Sequence, residues 1–429
     1  MKILLLGSGG RESALGWALA RSPAVEELFV APGNAGLAEL AIVADDVPTP
    51  AAAAALARYV AADLVVIGPE TPLVAGVADV LRAQGFKVFG PDAAAARIEG
   101  SKSYAKDLMR RAGVATARAQ SFEEVAPAVA FMDELGAPYV IKADGLAAGK
   151  GVVVTEERAD AIEALEECIS KDAFGEAGRR VVVEEYLDGE EVSLIAFTDG
   201  TTVVACEPAQ DYKRAYDGDL GPNTGGMGSY SPVPACPPDL AARITNEVIE
   251  PMVRATKEAG APFGGAIYAG LALTTTGPKV IEFNARFGDP ETQALIPRLE
   301  SDLAEVCVAT ANGDLAGVTL GWTQDACVSV VLASAGYPSS PQTGVPIEGI
   351  DKAASVEGVA VFHAGTARDD DGVLVTAGGR VAAVSALGPS FAAARARAYD
   401  AAEMIHFDGK HMRGDIARRA EYAEAGGRL

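Results

Sequence analysis

The N-terminal part of this chain alternates short apolar runs with alanine-rich helical tracts. The apolar runs occupy residues 2–7, 28–31, 64–67 and 87–89, and a Gly-Pro pair follows each of the last two. Strands that alternate with helices form a parallel sheet, because each parallel connection needs a crossover element. Ligands of such a sheet bind at the carboxyl ends of its strands. We therefore predict an N-terminal doubly wound parallel sheet whose rim carries residues 7–11, 32–34 and 68–71.

The pattern changes after residue 100. A helical segment at residues 101–113 is followed by short β-rich runs with glycine-rich links, which are typical of an antiparallel sheet with a mobile loop. These runs lie at residues 139–142, 151–154, 181–184, 192–197, 202–205, 266–273 and 279–283. From Cys327 the sequence predicts a small C-terminal α+β domain without clustered candidate chemistry. A chain of 429 residues is too long for one core, and we place the domain boundaries at residues 1–100, 101–326 and 327–429.

The composition limits the classes of partner. A net charge of −23 argues against nucleic acid and against an anionic membrane surface, since both require a basic footprint. The five cysteines are dispersed and form no CxxC pair, which favours reduced thiols in a cytoplasmic protein. No apolar stretch approaches the length of a membrane span, and no signal-peptide cleavage site follows the first apolar run.

Residues 280–293 form the most informative segment, Val-Ile-Glu-Phe-Asn-Ala-Arg-Phe-Gly-Asp-Pro-Glu-Thr-Gln. Side chains two apart on a strand share a face, so we expect Glu282 and Asn284 to point to the same side. Their oxygens suit Mg²⁺, which usually shares its ligands with substrate phosphates, and Arg286 can hold a phosphate or a carboxylate. The segment predicts a metal-assisted phosphoryl-transfer site. Taken alone, it fits an Asx-rich turn that closes a hairpin equally well.

Residues 7–12, Gly-Ser-Gly-Gly-Arg-Glu, resemble a dinucleotide fingerprint, but GxGxxG requires glycine where Glu12 stands. The acidic residue that would bind the ribose is also missing, because the second strand ends in Ala-Pro-Gly-Asn. Backbone amides at a helix N-terminus still bind a phosphate well, and Arg11 adds a fixed cation. A single phosphate is therefore the favoured ligand, and a simple strand-to-helix turn is the alternative.

Two segments of the second unit indicate nucleotide binding. Residues 144–151, Asp-Gly-Leu-Ala-Ala-Gly-Lys-Gly, depart from the Walker spacing and lie between strands, so they fit a lid over a triphosphate, or an ordinary flexible hairpin. Residues 181–191 run from an apolar strand into an acidic hinge whose backbone can pair with a purine edge, while Glu191 can accept from ribose hydroxyls. A hairpin with a solvated acidic turn is the favoured interpretation of that second segment alone.

A third region combines cations, a carboxylate and exposed amides. Asp-Tyr-Lys-Arg at residues 211–214 precedes Asn-Thr-Gly-Gly-Met-Gly-Ser at residues 223–229. Such a mixture can hold a small zwitterion or an acyl phosphate, and the alternative is a long surface loop, although loops of this length without a function are uncommon. The three histidines lie outside every cluster, and no Ser/His/Asp or Cys/His arrangement is present.

Together these segments resemble the ATP-grasp superfamily of carboxylate-amine ligases, and within it the family of phosphoribosylamine-glycine ligases, also called glycinamide ribonucleotide synthetases. The most specific motif is Arg-Phe-Gly-Asp-Pro-Glu-Thr-Gln at residues 286–293, and residues 7–11, 68–73, 144–151 and 222–228 agree in order and spacing. The resemblance covers essentially the whole chain and implies a central ATP-grasp fold with a small lid subdomain at about residues 123–190. Ser13 and Tyr212 stand where the family often has His, and we assign no role to either side chain.

The resemblance also implies roles for particular residues. Those expected to act in catalysis are Arg286, Asp211, Lys213 and Asn223. Those expected to bind ATP are Lys102, Lys142, Gly149, Lys150, Gly151, Glu184, Glu185, Tyr186, Leu187 and Glu191. Those expected to bind the other substrates are Gly9, Gly10, Arg11, Glu70, Thr71, Thr224, Gly225, Gly226, Met227 and Asp289. The expected ligands of Mg²⁺ or Mn²⁺ are Glu282 and Asn284.

The reaction implied by the resemblance is ligation of glycine to 5-phosphoribosylamine in de novo purine (IMP) biosynthesis. ATP is consumed, and a glycyl phosphate intermediate precedes glycinamide ribonucleotide. We expect a cytoplasmic monomer that acts on small molecules and makes at most a transient contact with the upstream amidotransferase. A carboxylase-type or formate-dependent ATP-grasp ligase is disfavoured by the residues after Arg286, and a nicotinamide oxidoreductase by Glu12. A regulator that binds nucleotide without turnover need not keep Glu282, Asn284 and Arg286 together.

Overall fold

The computed structural model describes residues 1–146, 151–170 and 179–427. Its first five strands are β1 (Lys2–Gly7), β2 (Glu27–Pro32), β3 (Ile42–Val43), β4 (Leu64–Ile67) and β5 (Lys87–Phe89). They form a parallel sheet in the order β3-β2-β1-β4-β5. Residues 3–6 are almost fully buried, as expected for a parallel strand covered on both faces. The predicted N-terminal doubly wound sheet is confirmed.

Helices cover both faces of this sheet and lead into the second unit. They are α1 (Gly10–Leu19), α2 (Pro50–Tyr59), α3 (Glu70–Val74), α4 (Val77–Ala83), α5 (Ala93–Gly100) and α6 (Lys102–Ala112). Helix α6 begins where Ser101 accepts a hydrogen bond from the Tyr104 amide, and it ends at Gly113, whose φ of 69° favours glycine. These caps explain why the sequence pattern located this helix closely.

A small antiparallel sheet follows in the order β6-β9-β7-β8. Its elements are β6 (Ala119–Phe122), α7 (Val125–Leu135), β7 (Tyr139–Ala143), β8 (Val152–Thr155), α8 (Arg158–Ile169) and β9 (Val181–Glu184). Helices α7 and α8 pack on one face of the sheet, where Met132 and Leu165 join a core with Ile141 and Val183. The predicted small antiparallel unit is therefore present.

The elements that follow build the larger half of the second unit. They are β10 (Glu190–Asp199), β11 (Val203–Ala205), β12 (Gln210–Asp211), β13 (Arg214–Tyr216), β14 (Leu220–Asn223), β15 (Gly228–Ser231), α9 (Pro238–Ile244), α10 (Glu250–Glu258), β16 (Gly264–Thr274), β17 (Gly277–Asn284), α11 (Glu291–Leu295) and α12 (Leu303–Asn312). A four-stranded antiparallel sheet has the order β11-β10-β16-β17. Strand β17 lies at the edge of this sheet as it is paired in the described residues.

The last elements are β18 (Ala326–Ala333), α13 (Ile350–Ala354), β19 (Val359–His363), β20 (Thr366–Arg368), β21 (Leu374–Thr376), β22 (Arg380–Gly388), α14 (Phe391–Glu403) and α15 (Arg418–Glu424). Strands β18, β22 and β19 continue an antiparallel sheet that begins with β12 and β15, in the order β12-β15-β18-β22-β19. Residues 210–231, which the sequence left open as a surface loop, thus contain four short strands. Strand β15 pairs on one side with β12 and on the other with β18, which the C-terminal unit supplies. No helix in the described part of the chain has the length and apolar character needed to span a membrane.

Candidate active site

The end of strand β17 carries the predicted metal ligands on one face. Glu282 pairs with Gly270 and Asn284 with Tyr268 across the β16–β17 ladder, which sets both side chains in register. Burial acts to raise the pKa of Glu282, but Lys213, Lys142, Lys102 and Arg286 together hold it below its ordinary value. The carboxylate is therefore ionised at neutral pH and surrounded by cations.

These two side chains suit a hard divalent cation. Within the described residues, neither the Glu282 carboxylate nor the Asn284 side-chain amide has a hydrogen-bond or ion-pair partner, whereas the nearby acids Glu184, Glu70 and Glu99 are paired. An ionised carboxylate and an amide oxygen on one strand face match the ligand chemistry of Mg²⁺ and Mn²⁺. No group of three or more His, Cys, Asp or Glu side chains in the described ranges forms a metal site. A cation here would need further ligands from a phosphate or from water.

A lysine cluster, which we define as Lys102, Lys106, Lys142 and Glu184, lies beside this strand end. The Lys142 ammonium pairs with Glu184 and lies 3.4 Å from the Ile281 carbonyl oxygen, which joins the small sheet to β17. Lys106 Nζ lies 2.5 Å from the second oxygen of Glu184. Burial lowers the pKa of Lys102, whose ammonium donates to the Gly145 carbonyl at 3.1 Å. One buried acid thus compensates two lysines, and a third lies close by.

Lys106 was given no role from the sequence. It stands four residues after Lys102 on helix α6, so both project from the same face of the helix, and that spacing was the available signal. Burial lowers the pKa of Lys106, partly offset by Glu184, and its ammonium also donates to Thr116 at 2.8 Å. Lys106 therefore holds Glu184 from the side opposite Lys142.

The hinge residues after β9 differ in how much of their backbone is free. The Glu185 amide already donates to the Arg118 carbonyl at 2.8 Å, and the Glu185 carboxylate accepts from the Arg118 amide at 3.1 Å. The Tyr186 side chain is exposed, and Leu187 follows it at intermediate burial. Glu191 pairs with Lys213 at 2.5 Å. Of these residues, Tyr186 and Leu187 have the freer peptide groups.

The predicted lid loop is only partly described. Gly149 and Lys150 lie outside the described residues. Gly151 lies inside them, and its carbonyl oxygen accepts from the Ala143 amide at 2.7 Å, which closes the β7–β8 ladder.

An arginine cluster, which we define as Glu12, Arg11, Glu70, Arg286 and Glu99, lies on the other side of the β17 terminus. Arg286 Nε lies 3.2 Å from Glu70 Oε2, and Arg286 Nη2 lies 2.9 Å from Glu99 Oε1. Arg11 Nη1 lies 3.9 Å from the same Glu70 oxygen, and Arg11 Nε lies 2.5 Å from Glu12. The ion pairs thus form a series in which carboxylates and guanidiniums alternate, from Glu12 at the start of α1 to Glu99 beside Arg286. Neither Glu12 nor Glu99 was recognised from the sequence as part of the site.

Glu12 changes the interpretation of the N-terminal glycines. Its carboxylate accepts from the Gly9 amide at 2.7 Å and is itself almost fully buried. A side chain at Gly7 would bring a Cβ within 2.5 Å of Glu12, and one at Gly68 would overlap the Glu12 carboxylate. Glycine at these positions therefore leaves room for Glu12. This internal carboxylate uses part of the donor set that the sequence assigned to a phosphate at Gly9, Gly10 and Arg11.

Residues around Asp211 form a third group of charges. Asp211 is half-buried, and burial raises its pKa to about 7; Lys213 opposes that rise, and the carboxylates of Glu291, Glu191 and Glu282 add to it. Burial acts to lower the pKa of Lys213, but Glu191 and Asp211 raise it well above its ordinary value. An acid whose pKa lies near neutrality beside a firmly protonated lysine can exchange a proton during a reaction.

The glycine-rich segment after β14 is held by the C-terminal unit. Asn223 pairs with Arg214 across the β13–β14 hairpin, and the Thr224 hydroxyl donates to the Lys213 carbonyl at 2.9 Å. Gly226 has a φ of 108°, and a side chain there would overlap Pro290, so only glycine fits. Met227 is fully buried beneath the segment.

Arg380 connects this segment to the turn that contains Asp289. Its guanidinium donates to the Gly225 carbonyl at 2.6 Å and lies 3.0 Å from Asp289 Oδ2. The other oxygen of Asp289 accepts from Gln293 at 2.7 Å. The sequence indicated no clustered candidate chemistry in the C-terminal unit, but tertiary packing brings Arg380 from β22 to Asp289, a position that its sequence neighbours do not indicate.

The remaining predicted positions are peripheral or structural. Thr71 is exposed near the start of α3. The Ser13 hydroxyl donates to the His363 carbonyl at 2.5 Å, and the Tyr212 hydroxyl accepts from the Ala417 amide at 3.0 Å. These are the two positions where the family that the sequence resembles often has His, and here both hydroxyl groups form hydrogen bonds within the protein.

Comparison with known families matches the chain in three parts. Residues 1–99 match the phosphoribosylglycinamide synthetase N domain, residues 100–292 match the phosphoribosylglycinamide synthetase ATP-grasp (A) domain, and residues 327–419 match the phosphoribosylglycinamide synthetase C domain. A phosphoribosylamine–glycine ligase from Brucella melitensis is 49% identical over 429 residues and covers 100% of both chains. One from Streptomyces coelicolor is 51% identical over 424 residues, 98% of this chain and 99% of that protein.

Solved structures agree on the architecture. The crystal structure of phosphoribosylamine–glycine ligase from Thermotoga maritima has a TM-score of 0.80 at 34% identity, over 97% of this chain and 100% of that chain. The biotin carboxylase domain of Hydrogenobacter thermophilus 2-oxoglutarate carboxylase has a TM-score of 0.75 at 17% identity, over 96% of this chain and 91% of that chain. The second match is informative for the fold alone.

Proposed function

The chain belongs to the phosphoribosylglycinamide synthetase family, and on that basis we propose that it ligates glycine to 5-phosphoribosylamine. ATP is converted to ADP and phosphate, and the product is glycinamide ribonucleotide, an intermediate of de novo purine (IMP) biosynthesis. The observation that carries the proposal is the meeting of three sets of residues at the end of β17: the pair Glu282 and Asn284, the lysine cluster and the arginine cluster. Full-length relatives named phosphoribosylamine–glycine ligase support it.

The proposed reaction has two steps, because a carboxylate is too poor an acylating agent to react with an amine directly. A glycine carboxylate oxygen first attacks the γ-phosphorus of ATP, so that an O–P bond forms, the bond to the β-phosphate breaks, and ADP leaves. The amine nitrogen of phosphoribosylamine then attacks the carbonyl carbon of glycyl phosphate. A C–N bond forms, the C–O bond to phosphate breaks, and the amine loses a proton. Neither step needs a protein nucleophile, so catalysis depends on position and charge.

The two charge clusters have separate tasks in this scheme. Lys102 and Lys142 balance the negative charge of the ATP phosphates, and Arg286 steadies the phosphoryl group as it moves between oxygens. A bound Mg²⁺ or Mn²⁺, held by Glu282 and Asn284, would polarise the phosphate oxygens. Low exposure of Lys142 keeps water away, which strengthens these interactions.

Other ATP contacts are proposed for the hinge and the lid. Residues 184–187 would bind the adenine, chiefly through Tyr186 and Leu187 because the Glu185 amide is already used. Glu191 would bind the ribose, and Gly149, Lys150 and Gly151 would close over the phosphates as part of a lid at about residues 123–190. This lid belongs to the middle of the three proposed domains, residues 1–100, 101–326 and 327–429.

The remaining substrates are assigned to the groups between the three units. Asp211, Lys213 and Asn223, with residues 224–227, would contact glycine or the acyl phosphate, and the raised pKa of Asp211 suits the acceptance of a proton from an ammonium. Gly9, Gly10, Arg11, Glu70, Thr71 and Asp289 would surround phosphoribosylamine. We further propose a cytoplasmic monomer that contacts the upstream amidotransferase only transiently.

Phosphate release from ATP tests this function. The protein is assayed with Mg²⁺ and glycine, with and without phosphoribosylamine generated in the same tube. We expect strong release only when glycine and phosphoribosylamine are both present, together with formation of glycinamide ribonucleotide. Release that is independent of glycine would contradict the substrate assignment and would indicate another carboxylate and amine.

A further inference from the structure

The guanidinium of Arg286 is oriented by three different groups. Its Nε donates to Glu70 at 3.2 Å, its Nη1 donates to the Phe287 carbonyl at 3.1 Å, and its Nη2 lies 2.9 Å from Glu99. A guanidinium has five N–H donors in a fixed plane. Each of the two terminal nitrogens therefore keeps one N–H for a ligand, and the three existing contacts determine where those N–H groups point.

Glu99 makes the most constrained of these contacts. It lies near the end of helix α5 with its side chain 8% exposed, and its two carboxylate oxygens have different partners. Oε1 faces Arg286 Nη2 at 2.9 Å, and Oε2 accepts from the Ala285 amide at 2.7 Å. One carboxylate thus holds both the backbone immediately before Arg286 and the tip of the Arg286 side chain.

Glu70 holds Arg286 less firmly. Its side chain is 28% exposed, and a single oxygen, Oε2, is shared between Arg286 at 3.2 Å and Arg11 at 3.9 Å. It has no contact with the backbone that precedes Arg286. The orientation of Arg286 therefore depends mainly on Glu99.

We propose that Glu99 is a positioning residue that fixes the guanidinium plane of Arg286 for phosphoryl transfer, a role that rests on the proposed function of Arg286. Glu99 belongs to the N-terminal unit, whereas Arg286 follows the edge strand of the large sheet. The contact therefore makes the geometry of the phosphoryl-transfer group dependent on the packing of the first unit against the second. A displacement of about 1 Å at such a group costs on the order of 100-fold in rate.

Glu99→Gln tests the role with little change in volume. An amide has one acceptor oxygen, so the variant can keep the bond from Ala285 or the bond from Arg286 but not both. We expect kcat to fall about 10- to 100-fold while the KM for ATP stays within about twofold, because Glu99 forms no ion pair with Lys102 or Lys142. Glu99→Asp, which keeps the charge, should recover part of the lost kcat.

A double-mutant cycle with Arg286→Lys separates a positioning role from a general structural one. If Glu99 acts through Arg286, adding Glu99→Gln to Arg286→Lys should lower kcat by less than about twofold more. Glu207→Gln is the matched control, because Glu207 pairs with the buried Arg298 outside this site. That control should keep kcat within about twofold of the unaltered protein.

The outcomes are distinct. Near-normal kcat for Glu99→Gln, or losses that multiply fully with Arg286→Lys, would overturn the proposal. If Glu99→Gln does not fold, Glu99→Asp takes its place in the same cycle. Near-normal activity of the Arg286 variant would instead contradict the proposed function of Arg286, and that result is separable from the failure of Glu99.

Discussion

The lysine cluster and the arginine cluster flank the same strand end with opposite charge ratios. In the lysine cluster a single buried acid, Glu184, serves Lys106 and Lys142, and Lys102 adds a further cation. In the arginine cluster three acids, Glu12, Glu70 and Glu99, serve two guanidiniums, those of Arg11 and Arg286. The first cluster has an excess of positive charge, while the second is compensated.

Under the proposed function, the two clusters would act on ATP in different ways. An excess of ammonium groups attracts a highly charged triphosphate, and the low dielectric around buried Lys142 strengthens that attraction. A compensated guanidinium attracts less but is held in one orientation, which matters when charge moves between oxygens. We therefore expect changes in the lysine cluster to affect binding and stability, and changes in the arginine cluster to affect turnover.

Removal of the central guanidinium should have the largest effect. We expect Arg286→Ala to lower kcat about 1,000-fold, because the transferring phosphoryl group loses its oriented donors. The protein should still fold, since burial already raises the pKa of Glu99, and this acid can take up a proton when its partner is lost. Steady-state phosphate release measures the effect, and Arg158→Ala, at the exposed start of helix α8, is the control. Retention of more than about a tenth of kcat would break the distinction between the clusters.

Loss of Glu184, the acid shared by two lysines of the lysine cluster, should lower the stability of the folded protein. We expect Glu184→Gln to lower the free energy of unfolding by about 3 kcal/mol, because two buried ammonium groups lose their counter-charge. Urea denaturation measures the change, with Glu70→Gln as the comparison from the arginine cluster. A larger loss of stability for Glu70→Gln would show that the two clusters do not differ in this way.

The pair on β17 between the clusters should govern the metal requirement. Glu282→Gln removes the anionic oxygen ligand, so we expect the Mg²⁺ concentration for half-maximal activity to rise about tenfold. Asp199→Asn is a control with the same change of charge, because the Asp199 carboxylate lies in a turn away from β17 and accepts hydrogen bonds from the Thr201 and Thr202 backbone amides. An unchanged metal titration for Glu282→Gln would place the cation elsewhere.

Asp211 should add a modest pH dependence. Burial raises its pKa to about 7, so its ionised fraction, and any rate that needs the carboxylate, falls as pH drops below about 7. The raised pKa also means that the folded state binds this proton more tightly, so this group contributes stability at low pH that is lost as pH rises through about 7. In the pH–rate profile of Asp211→Asn, we expect no fall in rate as the pH drops below about 7. If the variant still shows that fall, a group other than Asp211 causes it.

Local sequence signals located most secondary-structure elements. The runs at residues 64–67, 87–89 and 181–184 coincide with β4, β5 and β9, because each is a short apolar segment ended by glycine, proline or charge. The helical segment predicted at residues 101–113 coincides with α6, whose ends are fixed by Ser101 and Gly113. The strands between residues 210 and 231 were not predicted, since they are only two to four residues long and β15 obtains part of its pairing from β18 in the C-terminal unit.

The candidate site was predictable only where its residues are close in sequence. Glu282, Asn284 and Arg286 share a strand period, and that spacing alone indicated their common face. Glu99 and Arg380 gave no such signal, because each contacts its partner across a large separation in the chain: Glu99 with Arg286, and Arg380 with Asp289. Side-chain contacts over such distances follow from the packing of the three units.

The sequence by itself determined the chemical inventory of this protein: an apolar parallel sheet, a β-rich second unit, two oxygen-bearing side chains on one strand face, and membership of a ligase family through its motifs. Only the tertiary structure decided how the charges are compensated. Ion pairs such as Glu184 with Lys142, and Glu99 with Arg286, depend on atoms within about 4 Å of each other, and no local periodicity specifies that proximity between distant segments. The orientation of the reactive cations is thus a property of the fold, because it is set where the three units meet.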